Sequence, residues 1–487
     1  MSPRAAPEFG RPVRLVFGAA LAVCLALAVW LAWRTAILEP YSDMFDWMQR
    51  YYRLQADGDF GRYLWAPHNF HHLVWTFLVL DLDIRAFGAS GYLFLAVGVV
   101  CLAATAAMLA YVAAKAAGPG LRLVGGGGAA ALSAMGCHLL DASADINTTY
   151  VHALVFAVAA ILLSEGPSGR LARIRQAAAL TCALAAGLGS AAGLAVWPAL
   201  LFGALRRRKP AATLAVLAVG GAFALLYGIG ESGPLNPAAG ATGPHRAFEA
   251  VGLILNYLGL PWGRGIPGAG GALGLVVLLA SGAALAFDVR RAASWPERAA
   301  APLILFSLGT AVMVGVARTG VLGPGVAPMR YAVFLIPLHV GLWILALPHL
   351  RRAWERWPRS LASAVVAAAA FMLVNQGVMA VYAVRTADAN LQVIADFRAG
   401  KRTPAMVPTI YPDPGAAQPL SDRMRREGLY QRELRPDPRP LSGSGIWASW
   451  TDRASGCRPA GGMGSPAGCT PWPRQAPSDS SGARRRQ

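Results

Sequence analysis

Long apolar runs broken by short polar intervals dominate the chain from Leu15 to Tyr382. A run of about 18 or more residues with few charges reads as a transmembrane helix. The pattern predicts about eleven spans, at residues 15–37, 91–114, 123–140, 150–164, 176–190, 192–205, 211–229, 270–287, 300–317, 331–348 and 361–383. The first run is too long for a signal-peptide core and ends in Trp33-Arg34 instead of a small-residue cleavage site, so it reads as an uncleaved span. The expected fold is an all-α integral membrane protein with a long first extracytoplasmic loop.

The polar intervals give that fold an orientation. One side receives Lys115 with Arg122, then Arg170, Arg173 and Arg175, then Arg206 to Lys209. Arg290, Arg291 and Arg298 follow on the same side, and then Arg351, Arg352, Arg356 and Arg359. By the positive-inside rule that side is cytoplasmic, with the N-terminus inside and the C-terminus outside. Between Arg175 and Arg206 roughly 30 residues are too few for two full crossings, which need about 40. The expectation there is a hairpin of two short helices turning at Gly187–Gly193, buried in protein or facing a water-filled cavity.

The opposite side carries the longer loops, at residues 38–90, 141–149, 231–268 and 318–330. After the last span, residues 384–487 are rich in Pro, Gly, Ser and Arg. They read as a mostly disordered extracytoplasmic tail with a short surface helix near its start, distinct from the membrane domain at 1–383. No internal repeat is evident, which weighs against transporter folds built from repeats.

Composition sharpens this picture. The chain is 55% hydrophobic and 14% charged, against about 25% charged in soluble domains. Its net charge of +19 comes from arginines clustered between spans, where they orient the protein and meet anionic lipid headgroups. No basic and aromatic residues interleave as in a nucleic-acid module, so nucleic acid is not an expected partner. Cys24, Cys101, Cys137 and Cys182 lie in or near apolar runs as packing residues, and a Cys457–Cys469 bridge in the tail stays open.

Ionisable residues are scarce inside the spans, where ion-coupled transport would need them. Polar residues gather at the non-cytoplasmic helix ends. Asp43 lies just beyond the first span and Asp46 follows three residues later, sharing a face if the segment is helical. A partly desolvated carboxylate there suits a general base; an ordinary helix N-cap or a carboxylate at the headgroup level is the plain alternative. His68-Asn69-Phe70-His71-His72 offers three imidazoles to hydrogen-bond substrate, with no zinc-site spacing. No metal ligands are assigned, and a divalent metal stays open as a cofactor. Arg330-Tyr331 places a guanidinium where it can grip a phosphate or anchor the helix at the interface.

Three stretches carry a family resemblance: the His68-Asn69-x-His71 loop, Ser190-x-x-Gly193-Leu194-x-x-Trp197-Pro198, and Ala317-Arg318-Thr319-Gly320 leading to Arg330-Tyr331. With an Asp just after the first span, residues 15–410 resemble the GT-C superfamily of polyprenyl-phosphate-sugar-dependent glycosyltransferases. The resemblance implies hexosyl or pentosyl transfer, with inversion, from a polyprenyl-phosphate-linked sugar to a glycan or lipid acceptor outside a bacterial inner membrane. It implies Asp43 as the base and Arg330 as the group that neutralises the departing phosphate; Asp46, three residues on, is counted with Asp43 as a catalytic candidate. Substrate binding falls to His68, Asn69, His71, Arg330 and Tyr331. The alternatives are a non-catalytic scaffold of envelope assembly and a transporter or flippase of lipid-linked sugars.

Overall fold

The computed structural model of the protein describes residues 11–68, 71–138, 148–167, 169–228, 244–263, 269–288, 294–322 and 327–430. Of the described residues 85% are helical, and no strand occurs among them. In chain order the helices are α1 (Arg11–Arg34), α2 (Met44–Asp57), α3 (Phe60–Trp65), α4 (Val74–Phe87) and α5 (Tyr92–Ala117). Then come α6 (Arg122–Ser133), α7 (Thr148–Glu165), α8 (Ala172–Gly187), α9 (Val196–Arg206), α10 (Pro210–Gly228) and α11 (Pro244–Leu258). The remainder are α12 (Ala269–Asp288), α13 (Trp295–Leu322), α14 (Ile336–Arg356), α15 (Pro358–Arg398) and α16 (Pro414–Arg426).

Eight of these are long and apolar enough to cross a bilayer: α1, α5, α7, α10, α12, α13, α14 with the 3-10 turn before it, and α15. The chain is by that measure a multi-pass membrane protein. The other three expected spans fall on α6, α8 and α9, which have 12, 16 and 11 residues. At 1.5 Å per residue, helices of that length fall short of a hydrocarbon core of about 30 Å.

Close packing explains why short helices are accepted here. A β-carbon at Gly125 would sit 2.8 Å from the Ala113 carbonyl oxygen, so only glycine lets α6 lie directly against α5. The expected hairpin is present. α8 ends at Gly187, and Ala191–Ala195 form a 3-10 turn leading into α9. A β-carbon at Gly193 would approach the Ala186 carbonyl oxygen to 2.1 Å, so the turn closes only on glycine. Ala and Leu from α5, α7, α9, α13 and α14 fill the core between them, including Leu109, Leu154, Ala157, Leu200 and Leu303.

A second core lies outside that aliphatic one and is richly aromatic. α2 is amphipathic, burying Met44, Phe45, Trp47, Met48, Tyr51 and Leu54 on one face. This face packs with Phe77 of α4, Phe94 of α5, Phe397 of α15 and the residues Met406, Ile410, Ala417 and Met424. α15 has 41 residues, so it is about 60 Å long, about twice the hydrocarbon thickness. Its last turns therefore project from the bundle into this second core. Arg34–Asp388 at 2.9 Å and Arg398–Glu39 at 3.0 Å join α15 to the end of α1 and the chain just after it.

These contacts move the boundary expected at residue 383. The stretch 384–430 is folded, and its Pro/Gly/Arg-rich composition hides the buried positions Ile394, Phe397, Met406 and Ile410. Likewise the expected loop 231–268 contains α11, which packs on α12 and α13. The four membrane-region cysteines are free, Cys24 and Cys137 buried. Residues 141–147, 231–243, Arg290, Arg291, Cys457 and Cys469 lie outside the described residues.

Candidate functional site

Four separate stretches of chain bring their polar side chains to one end of the bundle. The first is the turn into α2. Ser42 has φ 53°, a left-handed conformation for a residue with a β-carbon, and it aims the chain into the helix at Asp43. Asp43 occupies the N-cap position, yet its side chain makes no capping hydrogen bond. It turns instead to His68, whose Nε2 lies 3.5 Å from its Oδ2. Asp43 is thus an N-cap by position whose side chain leaves the first-turn N–H groups uncapped.

The histidine loop is held from below by Arg50 of α2. Its guanidinium donates to the carbonyls of Ala66, at 2.5 Å, and Pro67, at 2.8 Å, while stacking 4.3 Å from the Phe77 ring centroid. His68 and His71 then exchange backbone hydrogen bonds, both 2.8 Å, closing a tight turn. Asn69, expected to bind substrate, lies outside the described residues. His72 points away from the site. It is buried, stacked on Trp65 at 4.4 Å and edge-on to Tyr227 at 4.6 Å, and so anchors the loop.

The hairpin supplies the third stretch. The Ala191 N–H donates to His71 Nδ1 at 3.1 Å. That fixes the tautomer: Nδ1 accepts, so Nε2 carries the proton. Burial, followed by the positive field of Arg318, pushes the His71 pKa down to about 3, so its ring is neutral at physiological pH.

The last stretch is the end of α13 with the 3-10 turn Met329–Leu335. Tyr331 is buried, and the Arg330 and Arg318 guanidiniums lie 5.4 and 6.0 Å from its ring centroid. Tyr150 of α7 packs edge-on to the same ring at 5.2 Å. Tyr331, expected to touch substrate, is thus buried beside both guanidiniums. Neither arginine forms an ion pair among the described residues. Both lie within electrostatic reach of Asp43.

The field at Asp43 has a clear sign. Burial opposes ionisation, but the His68 hydrogen bond and the charges of His68, Arg330 and Arg318 outweigh it. The carboxyl is held below the usual carboxylate range. Its side chain is 44% accessible and Arg330 is exposed, so both charges remain open to solvent. Asp46 is differently placed. Its Oδ1 accepts a hydrogen bond from the Tyr411 hydroxyl, which reaches in from the segment after α15.

Asp43, Asp46 and His68 each present one ligand atom, all within 4.8 Å of one another. Two carboxylates and an imidazole suit a divalent cation such as magnesium, manganese or zinc, so the residues present fit the open expectation of a metal. Expected residues Asp43, Asp46, His68, His71, Arg330 and Tyr331 come together; Arg50, Tyr150, Arg318 and Tyr411 join them without having been singled out for a role. Only Arg318 carried a signal, as a second arginine against the charge bias of its side. No protein-family model, curated protein or solved structure matches the chain.

Proposed function

We propose that the protein is a GT-C-like glycosyltransferase. It would move a sugar from a polyprenyl-phosphate donor to a glycan or lipid acceptor at the extracytoplasmic face of a bacterial inner membrane. The observation that carries this reading is a carboxylate held ionised within electrostatic reach of two guanidiniums that form no ion pair among the described residues. Such spare positive charge suits an anionic ligand group, and an arginine fork suits phosphate. The topology of about eleven crossings with the N-terminus inside belongs to the same proposal.

The chemistry follows from where charge develops. The acceptor oxygen bonds to the anomeric carbon as the bond from that carbon to the phosphate oxygen breaks. The acceptor proton passes to the Asp43 carboxylate, and polyprenyl phosphate leaves with one more negative charge than it had as a diester. Arg330 and Arg318 stabilise that charge, while Asp43, oriented by His68, takes the proton. A low pKa alone makes a weak base. A donor phosphate seated against the arginines offsets their field at Asp43, so donor binding itself strengthens the base. A divalent cation held by Asp43, Asp46 and His68 would add Lewis-acid polarisation of a substrate oxygen.

The test uses the full chain in liposomes with a panel of polyprenyl-phosphate hexoses and pentoses, reading release of polyprenyl phosphate in the presence of envelope glycan acceptors. Asp43→Asn and Arg330→Ala are each expected to lower the rate by about 10²–10³-fold with protein level unchanged. Full activity of both variants would sink the catalytic assignment. Donor crossing the bilayer unaltered, with no sugar transferred, would instead make the protein a flippase.

A further inference from the structure

The segment after α15 reaches the acidic pair at two adjacent points, and the first is backbone. The Ser42 N–H donates to the Ile410 carbonyl at 2.6 Å. Ser42 is the residue held in the left-handed conformation, and such a conformation persists only where the surroundings over-determine it. Asp43 is the next residue, so the direction in which its side chain leaves the chain depends on this turn.

The second point is a side chain. Tyr411 donates its hydroxyl to Asp46 Oδ1. Phe45, between the two aspartates, packs edge-on against Tyr411 at 6.1 Å and against Phe397 at 5.9 Å. Met406 and Ile410 are fully buried beneath. The contact is therefore built from a backbone bond, a side-chain bond and an aromatic core, all directed at residues 42–46.

We infer that residues 399–411 are an integral part of the candidate site, with Ile410 and Tyr411 as positioning residues for Asp43 and Asp46. The inference rests on the proposed reading for its effect on turnover, and on structure alone for its effect on the turn. Two like-charged carboxylates three residues apart repel each other. Tyr411 fixes one oxygen of Asp46, while Asp43 stays paired with His68 and partly accessible. A hydrogen bond to a charged group is one of the stronger ways to fix a rotamer.

The experiment compares Tyr411→Phe with Tyr52→Phe in the full-length protein. Tyr52 donates to Glu427 at 2.6 Å at the exposed edge of the same core and so provides a phenol–carboxylate bond for comparison. Both variants keep the ring and its packing. Tyr411→Phe is expected to lower kcat about tenfold with donor KM unchanged, while Tyr52→Phe leaves kcat as it is. In parallel, hydrogen exchange across residues 38–48 should speed up in Tyr411→Phe and stay slow in Tyr52→Phe. Equal kcat in Tyr411→Phe and the unaltered chain, or equal losses in both variants, would overturn the inference. If Asp43→Asn is fully active, the glycosyltransferase reading fails, and the exchange comparison alone then decides whether the segment positions the turn.

Discussion

The two ends of the same helices hold two arginine assemblies with opposite logic. At one end, Glu165 of α7 lies 3.4 Å from Arg207 and 3.7 Å from Arg298, and Arg206 pairs with Asp288 at 2.5 Å. Glu165 and Asp288 are almost wholly buried, and Arg207 also donates to Ser164 Oγ at 3.0 Å. At the other end, Arg318 and Arg330 both lie near the ring of Tyr331 and reach Asp43 only through space. The roughly 20 residues of α13 from Arg298 to Arg318 rise about 30 Å, which is the thickness of the hydrocarbon core. One assembly spends its charge on the fold; the other leaves its charge available to a ligand.

This contrast can be broken by measurement. Glu165→Ala removes the shared partner of two arginines in a buried setting and should destabilise the protein by about 3–5 kcal/mol, read as an earlier thermal unfolding midpoint in detergent. Arg330→Gln should unfold no earlier than the unaltered chain, since it relieves the repulsion of two like charges over one ring. Equal destabilisation by both variants would erase the distinction between the ends.

A pH profile sharpens the site end. The Asp43 pKa is depressed, so its charge is present above the ordinary carboxylate range and is lost only as pH falls through the lowered value. Arg330→Ala removes one of the causes of that depression. The acid limb of kcat/KM should then move to higher pH, and an unmoved limb would show that Arg330 does not act on Asp43. His71, with its pKa near 3, should contribute no limb between pH 5 and 8. The smallest effect belongs to the paired end. Ser164→Ala removes one bond to Arg207 and should cost about 1 kcal/mol, visible as a small shift of the same unfolding midpoint.

Much of the helical layout was legible because the bilayer imposes it locally. A long apolar run such as Tyr92–Ala117 leaves the backbone no alternative to internal hydrogen bonding. The hairpin at Gly187–Gly193 was legible from spacing between basic clusters. Asp43, His68 and Arg330 were legible as polar residues on one side, since topology alone sorts loops by face. Partners such as Arg50, Tyr150 and Tyr411 were not, because their roles depend on contacts across the fold. Tyr411 meets Asp46 across 365 positions of sequence. The folded part of the tail was hidden for a related reason. Its apolar residues are sparse, and they count as core only against the aromatic face of α2.

The long reach from Ser42 to Ile410 also has a consequence for biogenesis. A ribosome adding about 5–20 residues per second needs roughly 20–70 s to pass from one residue to the other. During that time α1 has already entered the membrane, while the turn at Ser42 lacks the carbonyl that holds it. The nascent protein therefore carries its catalytic-candidate aspartate unfixed until nearly all of its helices are inserted. Assembly of the turn is thus a late event, completed only once the segment after α15 has been made and has packed against α2.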